Sequence, residues 1–202
     1  TNLEISANQM FSEGRDLALP YLKTSGDKGL PEGEGIALFN GKDYTGEHLT
    51  LRESTFATLL GYKKSDIVEL AYLMHKNGRD ISVGFNAIRF KKKMKVTQDG
   101  SNIKVKYNIY MPIVMTEYPP DHLDKKQKRK ELETFIEGRV EKDIARMFKR
   151  SQEASSDVVG IGEDIRAYHP HLWRDGKWKE IYKDIKIEAK VKVKIVRSGS
   201  IR

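Results

Sequence analysis

The chain has 202 residues, a formal net charge of +8 and no cysteine. The lack of cysteine excludes disulfides, thiolate zinc sites and a cysteine nucleophile from this sequence, and no run of about 18 apolar residues is present that could cross a bilayer. The positive charge favours an anionic neighbour, either nucleic acid or a membrane surface, although a lysine-rich surface also serves solubility alone.

The amino-terminal part of the chain is polar and is expected to precede the main domain. Residues 24–35 read TSGDKGLPEGEG, a stretch rich in glycine, proline and acid that predicts a linker or long loop. We therefore place a domain boundary near Gly35. Residues 1–34 are interpreted as the remnant of a preceding domain plus a linker, and residues 35–202 as one domain. The sequence has no initiating methionine, so a targeting segment is expected upstream.

Two Asn-Gly dipeptides that lie between β-prone runs predict β-hairpins. At Asn40-Gly41, both residues tolerate the positive φ that a type I′ turn requires. Asn77-Gly78 favours a second hairpin, although residues 67–74 would also satisfy a helical period.

A short helix and a third hairpin are predicted around these turns. Residues 51–62 (LRESTFATLLGY) predict a helix that ends at Gly61. Apolar residues alternate with polar ones from 81 to 98 and again from 103 to 110, which indicates two strands. The DGSN sequence at residues 99–102 predicts the turn that joins them.

The longest helical signal covers residues 123–152. Its apolar residues recur at spacings of three and four, as expected for a stripe that lies across a sheet. The stripe consists of Leu132, Phe135, Ile136, Val140, Ile144, Met147 and Phe148. The helix begins with the basic run KKQKRK at residues 125–130, whose cations oppose the positive end of the helix dipole. We therefore expect its first turn to fray or to require an outside anion.

The clearest strand is the last one, IKIEAKVKVKIV at residues 185–196. Its apolar residues alternate with charged ones, which predicts a half-buried antiparallel strand with one basic face. The lysines of that face, a candidate surface for an anionic membrane or a partner, are Lys186, Lys190, Lys192 and Lys194. Mostly antiparallel strands, with one long amphipathic helix and short helices packed on them, indicate an α+β fold.

A Gly-x-Gly sequence at Gly160 and Gly162 could cradle a phosphate. The third glycine of a dinucleotide fingerprint is missing, because Ile165 occupies its position. Glu163 and Asp164 would add two negative charges to the first turn of a following helix and repel an anion. The sequence therefore predicts no phosphate site here.

The same glycines are better interpreted as a tight turn. Asp157 and the two serines before it can cap a short helix, EDIRAY, which Pro170 ends. Trp173 and Trp178 are expected to pack the next short helical turns against the core, before the last strand begins.

Two histidines, His169 and His171, could suggest a metal site. Zinc would need one or two further ligands in a fixed tetrahedron, and the other three histidines stand alone in the sequence. The proline between the two histidines also holds them extended and pointing apart. We therefore expect no metal and no cofactor, and a metal protein or enzyme built on this segment is kept only as a third hypothesis.

No pattern in the sequence indicates catalysis. Serines, histidines and acids occur, but none falls in a nucleophile elbow, a kinase-type loop or a β-lactamase-type box, so no catalytic residue is predicted. A nucleic-acid groove should combine cations with exposed aromatic rings, and the lysine face of the last strand contains none. A basic module that binds nucleic acid without specificity remains the alternative hypothesis.

Taken in order, these carboxyl-terminal features resemble the signature of the Ger(x)C family, the lipoprotein C subunits of spore germinant receptors. The signature comprises an acidic residue, a Gly-x-Gly turn, a short helix, Pro-x-x-Trp, a second Trp, and a strand that ends in basic residues and Gly. The matching positions are Asp157, Gly160, Gly162, Pro170, Trp173, Trp178, Arg197 and Gly199. Upstream, GIALFNGKDYTGEHLTLRES resembles the opening of the same domain, so the resemblance covers residues 35–199.

The resemblance implies a non-enzymatic subunit of a nutrient germinant receptor. Such a subunit carries a lipid on an amino-terminal cysteine, sits on the outer surface of the inner spore membrane, and assembles with two membrane-embedded partner subunits, A and B. The anchor is then expected upstream of Thr1. The resemblance brings no catalytic, cofactor or metal residues, and no specific nucleic-acid partner is expected.

Overall fold

Eight strands and four helices form the described part of the chain. The computed structural model describes residues 12–25, 29–62, 67–100, 102–120 and 123–198. In chain order the elements are β1 (Ala18–Ser25), β2 (Leu30–Asn40), β3 (Asp43–Thr50), α1 (Leu51–Gly61), β4 (Val68–Lys76), β5 (Arg79–Ala87), β6 (Lys91–Asp99), β7 (Asn102–Glu117), α2 (Lys126–Glu153), α3 (Ile161–Tyr168), a 3₁₀ turn (Pro170–Leu172), α4 (Trp178–Asp184) and β8 (Lys186–Ser198). The predicted α+β class is confirmed.

The strands form two sheets. β1, β2 and β3 make a three-stranded antiparallel sheet, in that order. The second sheet has the order β4-β5-β7-β6, and β8 also pairs with β7. β5 pairs antiparallel with both β4 and β7.

The predicted hairpins are present, with one correction. At the second hairpin Lys76 pairs with Arg79, and Asn77 and Gly78 have φ of 52° and 73°, which suits a type I′ turn. At the first hairpin the predicted Asn40-Gly41 turn is wrong by one residue. Asn40 pairs with Asp43 in the ladder, so the turn residues are 41 and 42, and of these only the glycine has a positive φ, 65°. The third turn includes residue 101, which lies outside the described residues.

The segment expected to be a linker or long loop is largely strand instead. Within residues 24–35, Ser25 pairs with Leu30 and Thr24 with Pro31, as β1 and β2 form a hairpin; residues 26–28 lie outside the described part. The first residues of β2 are exposed, so this hairpin arm needs no apolar pattern to be a strand. As a boundary between domains, the position near Gly35 stays a prediction.

The chain divides into two compact units. The first contains the described residues of 1–63, 96–105 and 143–188, and the second those of 64–95, 106–142 and 189–202. The core of the first unit includes Leu38, Leu49, Phe56, Leu60, Ile144, Phe148, Ile161, Ile165 and Tyr182. The core of the second includes Val83, Phe85, Tyr107, Met111, Ile113, Leu132, Ile136, Val140, Val191 and Val193.

The helices predicted at residues 51–62 and 123–152 are present, as α1 and α2. α1 begins with a capping box, in which Thr50 accepts a hydrogen bond from the Glu53 amide and Glu53 accepts one from the Thr50 amide. Six of the seven residues in the predicted stripe of α2 are buried, and Phe135 is half-buried. The first turn of α2 contains no acidic residue that would complement the positive end of the helix dipole. None of the helices in the described ranges has the length and apolarity needed to span a membrane.

The predicted alternation of the last strand is confirmed. Val191, Val193 and Ile195 in β8 are buried, while Lys192 and Lys194 between them are exposed. Hydrophobic burial therefore fixes which face of β8 carries the lysines.

Candidate functional site

The carboxylate of Asp157 forms the centre of the carboxyl-terminal segment. It is 1% exposed and lies between the end of α2 and the start of α3. Its Oδ1 accepts hydrogen bonds from the amides of Gly160 (2.9 Å) and Ile161 (3.1 Å). Its Oδ2 accepts from the amide of Gly162 (2.8 Å) and from Nε1 of Trp178 (3.1 Å). We call this set of four donors and one carboxylate the Asp157 hub.

The two glycines of the hub are required by geometry. Gly160 adopts a left-handed conformation with φ of 83°, which a residue with a side chain rarely adopts. A Cβ at Gly162 would lie 2.5 Å from Nε1 of Trp178 and 2.8 Å from Cα of Gly14. The glycines therefore allow the chain to turn tightly around the carboxylate and beneath the indole ring.

In the hub the amides of the Gly-x-Gly sequence bind the Asp157 side chain and not a phosphate. The amides at the start of α3 are the donors that a bound anion would use, and they donate to Asp157. Glu163 and Asp164 follow in the first turn of the helix. The carboxyl group of Asp157 thus takes the place that an external anion would occupy.

The two tryptophans stack at the base of the hub. The Trp178 ring is 2% exposed and lies 5.7 Å from the ring of Trp173 and 5.9 Å from that of Tyr182. The hydroxyl of Tyr182 lies 2.6 Å from Oγ of Ser151 in α2. Trp173 donates its indole N–H to the exposed carboxylate of Asp175 (2.6 Å). Trp178 therefore links the hub to α2 through Tyr182.

Asp16 joins the hub to the beginning of the described chain. Its amide donates to the carbonyl of Asp157 (3.0 Å), and its Oδ2 accepts from the amide of Asp157 (2.8 Å). Its Oδ1 accepts from the amide of Gly41 (2.7 Å) and lies 3.5 Å from Nζ of Lys179. Asp16 could not be predicted from the sequence, because an isolated acid 141 residues before its partner carries no local signal.

Burial dominates the acidity of Asp157. Desolvation raises the pKa of this carboxyl to about 7, although the three amide bonds and the indole bond act to lower it. A carboxyl with such a pKa would suit acid–base chemistry in an open cleft. Here both oxygens are enclosed by donors and the residue is 1% exposed, so the carboxyl group does not lie in an open cleft.

The remaining signature positions lie at the surface or beyond the described residues. Pro170 begins the 3₁₀ turn and is exposed, as is Arg197. Gly199 lies outside the described residues. The rings of His169 and His171 are 6.1 Å apart and edge to face. Over the described ranges no three His, Asp or Glu side chains are grouped to hold a metal ion.

The lysine face of β8 is exposed but interleaved with carboxylates. Lys186 pairs with Glu188 at 3.2 Å, and Lys190 is exposed. Lys192 pairs with Glu137 at 3.0 Å. Glu137 raises the pKa of Lys192 through this contact. Because such pairs reduce the local positive potential, the face is less basic than its sequence suggests.

Two of these lysines border a basic groove at the start of α2. The groove has a volume of about 880 Å³ and is lined by Lys192 and Lys194 of β8, by residues of the KKQKRK run and by one carboxylate, that of Glu133. We call its five cations, Lys126, Arg129, Lys130, Lys192 and Lys194, the lysine groove. Two basic stretches that are distant in the sequence therefore form one surface.

Comparison with known proteins gave one family and one solved structure. A family model described as spore germination B3/GerAC like, C-terminal, matches residues 34–199. A search of curated proteins gave no match. The crystal structure of the GerBC protein is similar, with a TM-score of 0.74 and 21% sequence identity, over 89% of this chain and 56% of that one. At this identity the likeness establishes the fold, and the chain spans little more than half of the GerBC chain.

Proposed function

Because the chain belongs to the spore germination B3/GerAC-like C-terminal family, a family of spore germinant receptor subunits, we propose that it is the carboxyl-terminal domain of a receptor C subunit required for nutrient-induced germination. The observation that carries the proposal is the family match over residues 34–199, the region in which the sequence resembles the Ger(x)C signature. The domain boundary near Gly35 is retained as part of the proposal.

We propose that the domain acts as a non-enzymatic scaffold. Four of its signature residues, Asp157, Gly160, Gly162 and Trp178, are engaged with one another in the Asp157 hub, where the carboxylate is buried. In this proposal the hub stiffens a surface that contacts the membrane-embedded A and B subunits. A lipid on a cysteine upstream of Thr1 would hold the subunit on the outer surface of the inner spore membrane.

Deleting the gene is expected to abolish germination through this receptor. Spores that carry this receptor alone should stop responding to its nutrient, measured as the fall in optical density. They should still germinate with a stimulus that does not depend on nutrient receptors. A wild-type copy should restore the response, as should a copy with Gly138→Ala, a helix position open to a Cβ. Undiminished germination of the deletion strain with every nutrient tested would remove the main support for the proposal.

We further propose that the lysine groove faces an anionic membrane. Lysines near such a surface contribute on the order of 1 kcal/mol each, which assists but does not replace a lipid anchor. Lys126→Glu/Lys130→Glu is expected to reduce sedimentation with phosphatidylglycerol-containing vesicles strongly. The control Lys91→Glu/Lys93→Glu changes the net charge equally at exposed positions of β6 and should have a small effect.

The same protein and variants decide the alternative function. Titration with duplex and single-stranded DNA at physiological salt should give weak, non-specific binding, because screening removes most of an electrostatic contact. Tight DNA binding under these conditions, with vesicle binding unaffected by the Lys126→Glu/Lys130→Glu change, would favour the nucleic-acid module instead.

A further inference from the structure

A row of glutamates on α2 binds the backbone of β8. The three hydrogen bonds, which we call the glutamate ladder, join Glu133 to the Ile195 amide (3.0 Å), Glu137 to the Val193 amide (3.0 Å) and Glu141 to the Val191 amide (2.8 Å). In each case Oε1 of the side chain accepts from a main-chain N–H. The ladder lies wholly within the second compact unit.

The three hydrogen bonds can form in succession because the spacing of the glutamates along α2 is close to the spacing of the amides along β8. Every fourth residue of a helix advances by about 6 Å, and every second residue of a strand by about 6.6 Å. The glutamate numbers rise by four while the strand numbers fall by two, so the two elements run antiparallel. Three successive pairs can therefore meet before the small mismatch accumulates.

The amides in the ladder are those that another strand would need. Amides of alternate residues in a strand point to the same edge, so residues 191, 193 and 195 present one edge of β8, while β8 also pairs with β7. An uncovered edge of 13 residues rich in valine and isoleucine is a template for pairing with another chain. The glutamate carboxylates accept hydrogen bonds from the amides along this edge, so these amides are not available to a further strand.

We propose that the glutamate ladder closes β8 against pairing with the β8 strand of a second copy of this chain. The strand is self-complementary in the antiparallel sense. Pairing centred on Val193 would place Val191 opposite Ile195, and its two-fold symmetry would close the assembly as a dimer. The same register would place Lys192 opposite Lys194, and this repulsion opposes the dimer most strongly at low salt.

Two glutamates of the ladder, Glu133 and Glu137, also form ion pairs with lysines of β8. Glu137 contacts Lys192 at 3.0 Å, and Glu133 lies 3.8 Å from Lys194. A glutamine in place of either glutamate would keep an oxygen that accepts from the strand but lose the ion pair. Glutamine variants thus separate the acceptor, which the proposal requires, from the charge, which it does not.

The test compares two triple variants with the same change in charge. Glu133→Ala/Glu137→Ala/Glu141→Ala should form a concentration-dependent dimer in sedimentation velocity, more readily at high salt. Glu133→Gln/Glu137→Gln/Glu141→Gln should stay monomeric, as should the wild-type domain. A folded alanine variant that remains monomeric at every concentration and salt, or equal association of both variants, would overturn the proposal.

A single substitution covers the case in which the triple alanine variant fails to fold. In Glu137→Ala the Val193 amide should exchange with deuterium on the order of tenfold faster than in Glu137→Gln, the change expected for one lost hydrogen bond. This exchange should slow again as the protein concentration is raised, if a second strand replaces the glutamate. Equal Val193 exchange in the two variants, or exchange that does not depend on concentration, would contradict the inference.

Discussion

Replacing Asp157 with alanine is expected to lower the free energy of unfolding by about 3 kcal/mol or more. The change leaves the amides of Ile161 and Gly162 and the Trp178 indole N–H buried without an acceptor, and each such group costs about 1 to 3 kcal/mol. The Gly160 amide keeps only its longer bond to the carbonyl of residue 157, at 3.3 Å. Urea unfolding followed by tryptophan fluorescence and circular dichroism measures the loss.

Asp175 provides the matched control for this variant. It also accepts an indole N–H, from Trp173, but at an exposed position where water can replace the carboxylate. Asp175→Ala should therefore change the free energy of unfolding by less than about 0.5 kcal/mol. Similar losses in the two variants would mean that the hub does not stabilise the fold through its buried hydrogen bonds.

The contribution of Asp157 to stability should fall as the pH rises. Its pKa is about 7 in the folded protein and near 3.8 when exposed, so the folded state binds more protons between these values. The stabilisation from this proton is complete below about pH 4 and is lost as the pH rises through about 7. Asp157→Asn does not titrate, so the stability difference between wild type and variant should be larger at pH 5 than at pH 8. A difference that grows with pH would indicate an ionised carboxylate whose hydrogen bonds outweigh its burial.

Replacing Gly162 with alanine is expected to lower the free energy of unfolding by about 3 kcal/mol, because the added methyl group overpacks a closed site. The added methyl group would approach the Trp178 ring to 2.5 Å and the Gly14 backbone to 2.8 Å, and neither is the free end of a flexible side chain. Overpacking of this kind costs about 1 to 3 kcal/mol and sometimes more. Thermal and urea unfolding of the purified domain measure the effect.

Gly138 gives a control with the opposite sign. It lies inside α2, and a Cβ there would meet no atom within 4 Å. Gly138→Ala should therefore stabilise the protein by up to about 1 kcal/mol through helix propensity. If both alanine substitutions were neutral, the close contact at Gly162 would not constrain the fold.

Features with a local period could be predicted from the sequence. The lysine and valine alternation in β8, the apolar stripe of α2 and the turn at Asn77-Gly78 each depend on neighbouring residues, and all three are present in the structure. Residues 24–35 could not be predicted as strand, because an exposed hairpin arm needs no apolar residues.

The candidate site was predicted only in part for the same physical reason. The resemblance identified Asp157, but its four donors depend on how α3 and α4 approach each other. The i, i+4, i+8 spacing of Glu133, Glu137 and Glu141 is visible in the sequence. The partners of these glutamates lie 50 to 62 residues later in the chain, so the role of the spacing appears only when β8 lies alongside α2.

The contact between Asp16 and Asp157 also sets the order in which the chain can fold. The two residues are 141 positions apart, so their reciprocal hydrogen bonds close a very long loop, at an entropic cost that grows slowly with its length. Trp178, which completes the hub, lies further along the chain. During synthesis on the ribosome the hub cannot form until nearly all of the described residues have been made. Until Asp157 has been synthesised, Asp16 cannot form its hydrogen bonds to that residue.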